Sequence, residues 1–463
     1  MSEVTAMTMD KGPWAAFEPS ADDPWDLRKV AHLHRRAGFG ATWGELQRDL
    51  EAGPAASVER FLHPGHESPD ECQVLDGLRQ GVLRSRDPER LKAWWLYRMA
   101  FGADPLREKM TLFWHGHFAT SQRKVDDIAL MVGQNELFRR HALGNFAMLL
   151  TEVLSDPAML VWLDGVDNRK GRPNENLARE TLELFTLGRR HFNERDVRES
   201  ARALTGWVRG EGTDSFEPYR FPFDLTQFDS GEKTVLGQSG PWKGDDLARI
   251  VARHPATLES LARKLYRGFV SEGDDPSADL IRPLAEALRG EGDGIGRAVG
   301  LILRSRHFYT RAAIRQRIKG PVEFNVGLVR ALEVPRGSLS LPGLSASCDR
   351  QGQELFFPPN VAGWEGGKPW INSTTLIERS NWAADILWGD SETGQSPYDP
   401  SAWAERHGLA ANRVTSAFTE LLLQGDLGAE ARALILSAGS KGGAEGLRKA
   451  LLRLVNCPES HLA

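Results

Sequence analysis

The sequence predicts a mainly α protein: one large multi-helix domain with a small β-hairpin or loop insert and a short helical C-terminal extension. Three observations lead to this fold class. Apolar residues recur at helical spacing through most of the chain. Asp, Asn and Pro stand before these stretches and Gly stands after them, where helices begin and end. Within the long helical pattern, the stretch 207–240 is the one with short strand-like pieces.

The composition is that of an ordinary globular protein. The 463 residues are enough to bury a large core, and 41% of them are hydrophobic and 26% charged. The formal net charge is -5 and the basic residues are scattered, so no nucleic-acid partner is expected. No signal peptide and no apolar run of membrane-spanning length are evident, so we expect no membrane span and a cytoplasmic location. An exported location is expected instead if the true start codon lies elsewhere.

Capping residues mark the helices of the first half of the chain. "DPERLKAWWLYRMAFG" (87–102) begins behind an Asp-Pro pair, carries a stripe of large apolar residues and stops at a glycine. "NENLARETLELFTLG" (174–188) begins behind Asn174 and ends at Gly188. "NERDVRESARALTGW" (193–207) repeats that arrangement.

Two irregular stretches interrupt the helices. The first, 207–240, is rich in Gly, Pro, Phe and Asp, and its pieces "YRFPF" and "KTVLG" predict a small hairpin or lid. The second, 352–375, holds too many Gly, Pro and Trp residues for a helix. Ordered loops with many aromatic residues usually pack over something.

The domain organisation follows from these patterns. We expect an N-terminal extension (1–24), a main helical domain (25–388), a linker (389–401) and a C-terminal helical segment (402–463). The linker is assigned because "GDSETGQSPYDPS" is rich in turn-forming residues. The C-terminal segment returns to short helical patterns such as "RVTSAFTELLLQ" and "AEGLRKALLRLV".

Several of these stretches together resemble a bacterial family, domain of unknown function 1800. The resemblance is carried, in this order along the chain, by "HLHRRAGFGAT", "EKMTLFWHGHFATS", "DPAMLVWLDGVDNRKGRPNENLARETLELFTLG", "ARALTGW", "GEKTVLGQSGPWKGDD" and "LFFPPNVAGWEGGKPWINSTTLIER". It spans about residues 25 to 390. The family has no settled activity, and the resemblance implies a partner of the sulfatase or phosphatase type, encoded nearby. One position departs from the family pattern, which has a His-Asp pair where this chain has Phe228 and Asp229.

The segment "FWHGHF" holds the first candidate site residues, His115 and His117. Two histidines at i and i+2 diverge by about 200° on a helix, but Gly116 suggests that the helix ends near His115 and lets the rings converge. Zinc, iron or manganese would accept such a pair together with a carboxylate. The alternative is that both histidines belong to an aromatic core and bond buried groups.

The second candidate is "NENLARE". On a regular helix Asn176, Arg179, Glu180 and Glu183 share one polar face, and Glu180 with Glu183, at i and i+3, could bind one ion. Glu175 lies at the helix start, where main-chain amides favour anions. The alternative is a solvated face with an ordinary Arg179–Glu183 pair at i and i+4.

Two functional hypotheses result. In the first, a metal-dependent hydrolase or oxidoreductase uses an open metal position to activate water. Its residues would be the metal ligands His115, His117 and Glu180, the general base Glu183 or Glu175, and the substrate-binding residues Asn176, Arg179, Trp364 and Trp370. In the second, the protein is a non-catalytic binding or assembly protein, and the same polar side chains form an internal network that fixes the fold.

The N-terminal segment "HLHRRAGFG" is a further polar cluster. His32 and His34 have i,i+2 spacing and are followed by Arg35 and Arg36. A structural clasp is the favoured interpretation, and binding of an anion by the two arginines is the alternative.

Overall fold

The mainly α fold is confirmed. A computed structural model describes residues 12–210, 220–290, 292–440 and 443–463. Over these residues it has 22 α-helices, a π-helix, short 3₁₀ turns and one two-stranded antiparallel sheet.

The elements are these. The first half of the chain forms α1 (Leu27–Ala37), α2 (Trp43–Leu62), α3 (Pro69–Ser85), α4 (Pro88–Phe101), α5 (Pro105–His117), α6 (Gln122–Val125), α7 (Ile128–Arg140), α8 (Phe146–Leu154), α9 (Pro157–Trp162), α10 (Asn176–Glu180), the π-helix (Thr181–Thr186) and α11 (Glu194–Ala203). The second half forms β1 (Lys233–Val235), β2 (Gln238–Gly240), α12 (Gly244–Ala252), α13 (Pro255–Phe269), α14 (Ala278–Leu288), α15 (Gly294–Arg304), α16 (Pro321–Ala331), α17 (Leu341–Arg350), α18 (Ser373–Trp388), α19 (Pro400–Arg406), α20 (Val414–Leu423), α21 (Ala429–Gly439) and α22 (Gly443–Val455).

Capping determines where many of these helices begin. The Asp87 side chain accepts a hydrogen bond from the Glu89 N–H at the start of α4. Asn193 accepts from two main-chain amides at the start of α11, and Asp196 bonds back to the Asn193 N–H, which completes a capping box. These bonds satisfy amides that have no partner inside the helix, so the caps seen in the sequence fix the helix ends.

The insert contains a hairpin, but its two strands are not the two pieces named in the prediction. β1 comes from the predicted piece "KTVLG", but its partner is the following "QSG", with Lys233 opposite Gly240. The reason is local, because Leu236 and Gly237 both have positive φ (49° and 77°) and form the two-residue turn that suits a tight hairpin. In the described part of the other piece, Phe223 forms an isolated bridge with Trp207. Residues 211–219 of the insert lie outside the described residues.

The helix expected over 174–188 is also different in detail. It begins as α10, but from Thr181 the chain widens into the π-helix, which ends before Gly188 at a φ of 75°. Inside it, the Thr186 hydroxyl donates to the Thr181 carbonyl at 2.6 Å. A π-turn holds more residues than an α-turn, so side chains beyond Glu180 are displaced from the face predicted for a regular helix.

The C-terminal helices pack into the same hydrophobic core as the N-terminal ones, which extends from Trp14 to Val455. The last residues pair with the segment before α16, since Ile318 bridges to Leu462 and the Ala463 N–H donates to the Arg317 carbonyl. None of the helices that the structure describes is long and apolar enough to span a membrane.

Candidate functional site

The histidine segment forms the last turn of α5. The sequence predicts that this helix ends near His115, and α5 ends two residues later, at His117. On a helix the two rings diverge, and they do so here: His115 lies against Trp95 and Phe356, whereas His117 lies against Phe185. The two imidazoles therefore do not converge on one point.

His115 is part of the core. Its side chain is fully buried, and its Nε2 accepts a hydrogen bond of 3.0 Å from the main-chain N–H of Phe356. Burial lowers the pKa of His115 to about 3, so the ring is neutral at pH 7. Because Nε2 accepts, the ring proton is on Nδ1.

The aromatic loop 352–375 covers this histidine. The ring centroid of Trp364 lies 5.4 Å from that of His115. Gly363, with a φ of +77°, passes so close to the helix that a Cβ there would clash with the Gly116 carbonyl. Trp370 packs elsewhere, against Gly320. The loop thus packs directly on the end of α5, with Trp364 as its contact.

His117 joins three helical elements. Its Nε2 donates to the Phe185 carbonyl of the π-helix at 3.1 Å. Its Nδ1 accepts from the Lys264 ammonium of α13, also at 3.1 Å, and Lys264 donates in addition to the Leu184 carbonyl at 2.8 Å. Burial lowers the pKa of His117 well below its ordinary value, and repulsion from Lys264 lowers it further. His117 is therefore a neutral ring with both nitrogens engaged.

Lys264 is the residue of this site that the sequence reasoning missed. Burial lowers its pKa to about 8, and it donates to the neutral His117 and to a main-chain carbonyl rather than to a carboxylate. One sequence signal was available: Lys264 stands seven residues after the buried Thr257, on the same face of α13. A lysine on a buried helix face is uncommon enough to merit attention.

The charged residues of "NENLARE" and of the turn that follows it form ion pairs at the surface. Arg179 contacts Glu175 at 3.1 Å and Glu194 at 2.8 Å. Glu183 contacts Arg189 at 2.6 Å. The predicted Arg179–Glu183 pair is not among the ion pairs of the described residues, because the π-helix begins between them and rotates Glu183 away.

Asn176 and Glu180, on the same helix, do not belong to these ion pairs. Asn176 donates to the Asp164 carboxylate at 3.0 Å. Burial raises the pKa of Glu180, and the neighbouring charge of Glu183 raises it further.

Phe228 and Asp229 form the pair that departs from the family pattern. Both side chains have partners within the protein. Phe228 is buried, and the Lys233 ammonium lies over its ring at 5.0 Å. Asp229 forms an ion pair of 2.8 Å with Arg202, which lowers the pKa of that carboxyl. The ion pair of Asp229 thus ties the insert to α11.

These contacts do not offer a metal ion the donor set that the sequence predicts. Both nitrogens of His117 and the Nε2 of His115 are already hydrogen-bonded to the protein. Across the described residues, no group of three His, Cys, Asp or Glu side chains could hold a metal ion. The roles assigned to Glu175, Glu180 and Glu183 remain predictions without a metal centre to support them.

A comparison with protein families decides where the chain belongs. A family model described as "Protein of unknown function (DUF1800)" matches residues 32–460. The chain belongs to the DUF1800 family. The match covers the histidine segment and the π-helix, and it extends past residue 390 through the C-terminal helices, so all of these are parts of the DUF1800 sequence. No curated protein and no solved structure matches the chain.

Proposed function

We propose that this DUF1800 protein acts by binding, as a rigid helical scaffold, and that the histidine segment is structural rather than catalytic. The observation that carries the proposal is the double hydrogen bonding of His117, which ties α5 to the π-helix and to α13. A buried polar network with every member satisfied rigidifies a core and specifies one packing.

The position of the network explains why it would be needed. The π-helix releases its Leu184 and Phe185 carbonyls, and these accept from Lys264 and His117. Without these donors, buried carbonyls would lack partners, at a cost of about 1–3 kcal/mol each. The network therefore stabilises an otherwise unfavourable widened helix.

The partner we propose for such a scaffold is a sulfatase- or phosphatase-like protein. Its support is the family resemblance, which implies a partner of that kind. A binding role also agrees with the absence of a metal-ligand cluster in the described part of the chain.

A catalytic role of Lys264 is the second candidate. Two observations favour it: a π-helix often lies at a functional site, and a lysine whose pKa is near 8 can act as a base at neutral pH. Against it, Lys264 already donates to two acceptors of the protein.

The experiment compares wild type, His117→Ala and Glu180→Gln by metal analysis and by chemical unfolding. If the network is structural, His117→Ala lowers the free energy of unfolding by about 1–3 kcal/mol, because Lys264 and the Phe185 carbonyl lose their partner. Glu180→Gln is the matched control and changes it by less than about 0.5 kcal/mol. Stoichiometric metal in the wild type that is lost in His117→Ala, with unchanged stability, would contradict the proposal.

A further inference from the structure

A second buried polar region lies apart from the histidine segment. α1, α16 and α20 enclose a cavity of about 60 Å³. Its walls are mostly aliphatic and include Leu46, Leu328 and Leu421, while its charged lining residues are Arg35, Lys319 and Glu323. A cavity that combines apolar walls with a few convergent polar groups is typical of a small-molecule site.

Arg35 is the unusual group on this cavity. Its side chain is only 8% exposed, and its one side-chain hydrogen bond runs from Nη1 to Gln424 at 2.7 Å. Within the part of the chain that the structure describes, its Nε and Nη2 have no hydrogen-bond partner. These two nitrogens form one edge of the guanidinium, the edge that binds a carboxylate through two parallel hydrogen bonds.

The surrounding region has more buried cations than carboxylates to balance them. Besides Arg35, the side chains of Arg36, Lys319 and Arg379 are at most partly exposed and donate to main-chain carbonyls. None of these four cations forms an ion pair within the described residues. Arg36 and Arg379 also keep unpartnered guanidinium nitrogens.

The nearby carboxylates are already occupied. Glu323 accepts two hydrogen bonds from Arg317, at 2.7 and 2.9 Å, and contacts Lys109 as well. Asp426 is shared by Arg315 at 2.7 Å and Arg28 at 2.9 Å. Glu272 is paired with Arg317 at 3.0 Å. Among the described residues, these three carboxylates are therefore all engaged with cations other than Arg35.

Burial and this imbalance both act on the pKa values of the cations. Burial lowers the pKa of Arg35 well below its ordinary value, and repulsion from Arg315 and Arg36 lowers it further. Burial lowers the pKa of Lys319 as well, with repulsion from Arg35 and Arg315 adding to it. Because a guanidinium keeps its proton in proteins, the strain at Arg35 is relieved by a neighbouring anion rather than by deprotonation.

We propose that this cavity binds a small monocarboxylate, with its carboxylate on the Nε and Nη2 edge of Arg35 and its apolar part against the aliphatic walls. Tetrahedral anions such as phosphate and sulfate fit less well, because the walls are mostly aliphatic and several of their oxygens would lie against apolar side chains. The ligand is smaller than benzene, which requires an apolar cavity of about 150 Å³. The proposal does not depend on the function proposed for the histidine segment.

The test measures the melting temperature of the full chain with increasing sodium acetate or propionate, at constant ionic strength kept with sodium chloride. A ligand that binds only the folded state raises the melting temperature in proportion to the logarithm of its concentration above Kd. Acetate and propionate are expected to do so, whereas acetamide, the neutral analogue of acetate, and the larger benzoate are not. Titration calorimetry with acetate then gives the affinity.

Two variants locate the site. Arg35→Met keeps the length of the side chain and removes its donors, and we expect it to weaken acetate binding at least about tenfold, since two charge-assisted hydrogen bonds are lost. Arg36→Met removes an equally buried cation that does not line the cavity, and it should leave acetate binding within about threefold of wild type.

If Arg35→Met does not fold, Ala331→Met supplies a second variant, because it fills the cavity from α16 and leaves Arg35 in place. It should abolish the acetate effect. Equal stabilisation by acetate and acetamide, or acetate binding that survives both cavity variants, would overturn the proposal. Stabilisation by phosphate or sulfate without stabilisation by acetate would overturn the assignment to a carboxylate.

Discussion

The histidine segment and the cationic cavity are both buried and polar, but they differ in how their hydrogen bonds are satisfied. At His117 both ring nitrogens have partners of the protein itself, and the nearest cation, Lys264, has two acceptors. At the cavity, Arg35 is buried, yet two of its side-chain nitrogens have no hydrogen-bond partner among the described residues. A network whose donors and acceptors are all paired within the protein gains nothing from a ligand. Buried charged donors without partners are stabilised by a ligand that accepts their hydrogen bonds.

The same comparison shows that residue type alone does not identify a site, because the fold decides where each side chain lies. His115 and His117 are the residues that a metal-site search would choose, but the helix directs them to opposite surroundings. Arg35 is predicted from the sequence to belong to a structural clasp, with anion binding as the alternative, and α1 directs it into the core. Site chemistry therefore depends on partners that lie far away along the chain.

The largest expected effect comes from removing a carboxylate from the cationic region. Glu323→Gln removes the buried counter-charge of Lys109 and one of the two carboxylates paired with Arg317, so the free energy of unfolding should fall by about 3–5 kcal/mol. Chemical unfolding with and without acetate measures it, and acetate should restore part of the loss. As the control, Glu45→Gln removes a carboxylate paired with Arg330, away from the cationic cluster, and acetate should not restore its stability.

An intermediate effect is expected at Lys264, and it depends on pH. Its pKa is about 8 in the folded protein and near 10.4 in the unfolded chain, so between these values the unfolded chain holds the proton more tightly. Raising the pH through this window therefore favours the folded state, by at most about 1.4 kcal/mol per pH unit.

Lys264→Met lacks this contribution. The difference in unfolding free energy between wild type and variant should grow as the pH rises from about 8 towards 10.4. The exposed Lys368→Met is the control and should show a constant difference from wild type. A difference for Lys264→Met that does not change with pH would show that Lys264 is not desolvated in the folded protein.

The smallest effect is expected at Glu183. Its partner Arg189 is 82% exposed at the side chain, and such surface ion pairs contribute about 0–1 kcal/mol. Glu183→Gln should therefore leave the unfolding curve almost unchanged. A loss of several kcal/mol would mean that Glu183 belongs to the internal network and that the two regions are less distinct than we infer.

Much of the fold could be predicted from local signals. The caps at Asp87 and Asn193 and the glycine at 102 gave the limits of α4 and the start of α11, because these effects act within a few residues. The π-helix could not be predicted, because a regular helix has the same apolar pattern over its first turns. The shift that it introduces at Thr181 is also why the alternative Arg179–Glu183 ion pair is not formed.

The candidate sites were less predictable because their partners are distant in sequence. His115 bonds Phe356, and His117 bonds Lys264, across loops that no periodicity describes. The cavity is assembled from α1, α16 and the C-terminal residues, so the sequence could indicate the anion-binding alternative for Arg35 and Arg36 but not its geometry. Tertiary packing decides whether such a polar cluster is closed by hydrogen bonds within the protein or left open to a ligand.

The most direct test of the closed histidine network is the tautomeric state of its two rings. Nuclear magnetic resonance of ¹⁵N-histidine-labelled protein, with His115→Gln and His117→Gln for assignment, reports the protonated nitrogen of each ring before and after zinc is added. We expect His115 to carry its proton on Nδ1 and His117 on Nε2, both unchanged by zinc. If zinc displaces the proton of either ring or shifts its nitrogen resonances to those of a metal ligand, the histidine segment is a metal site and the central claim is wrong.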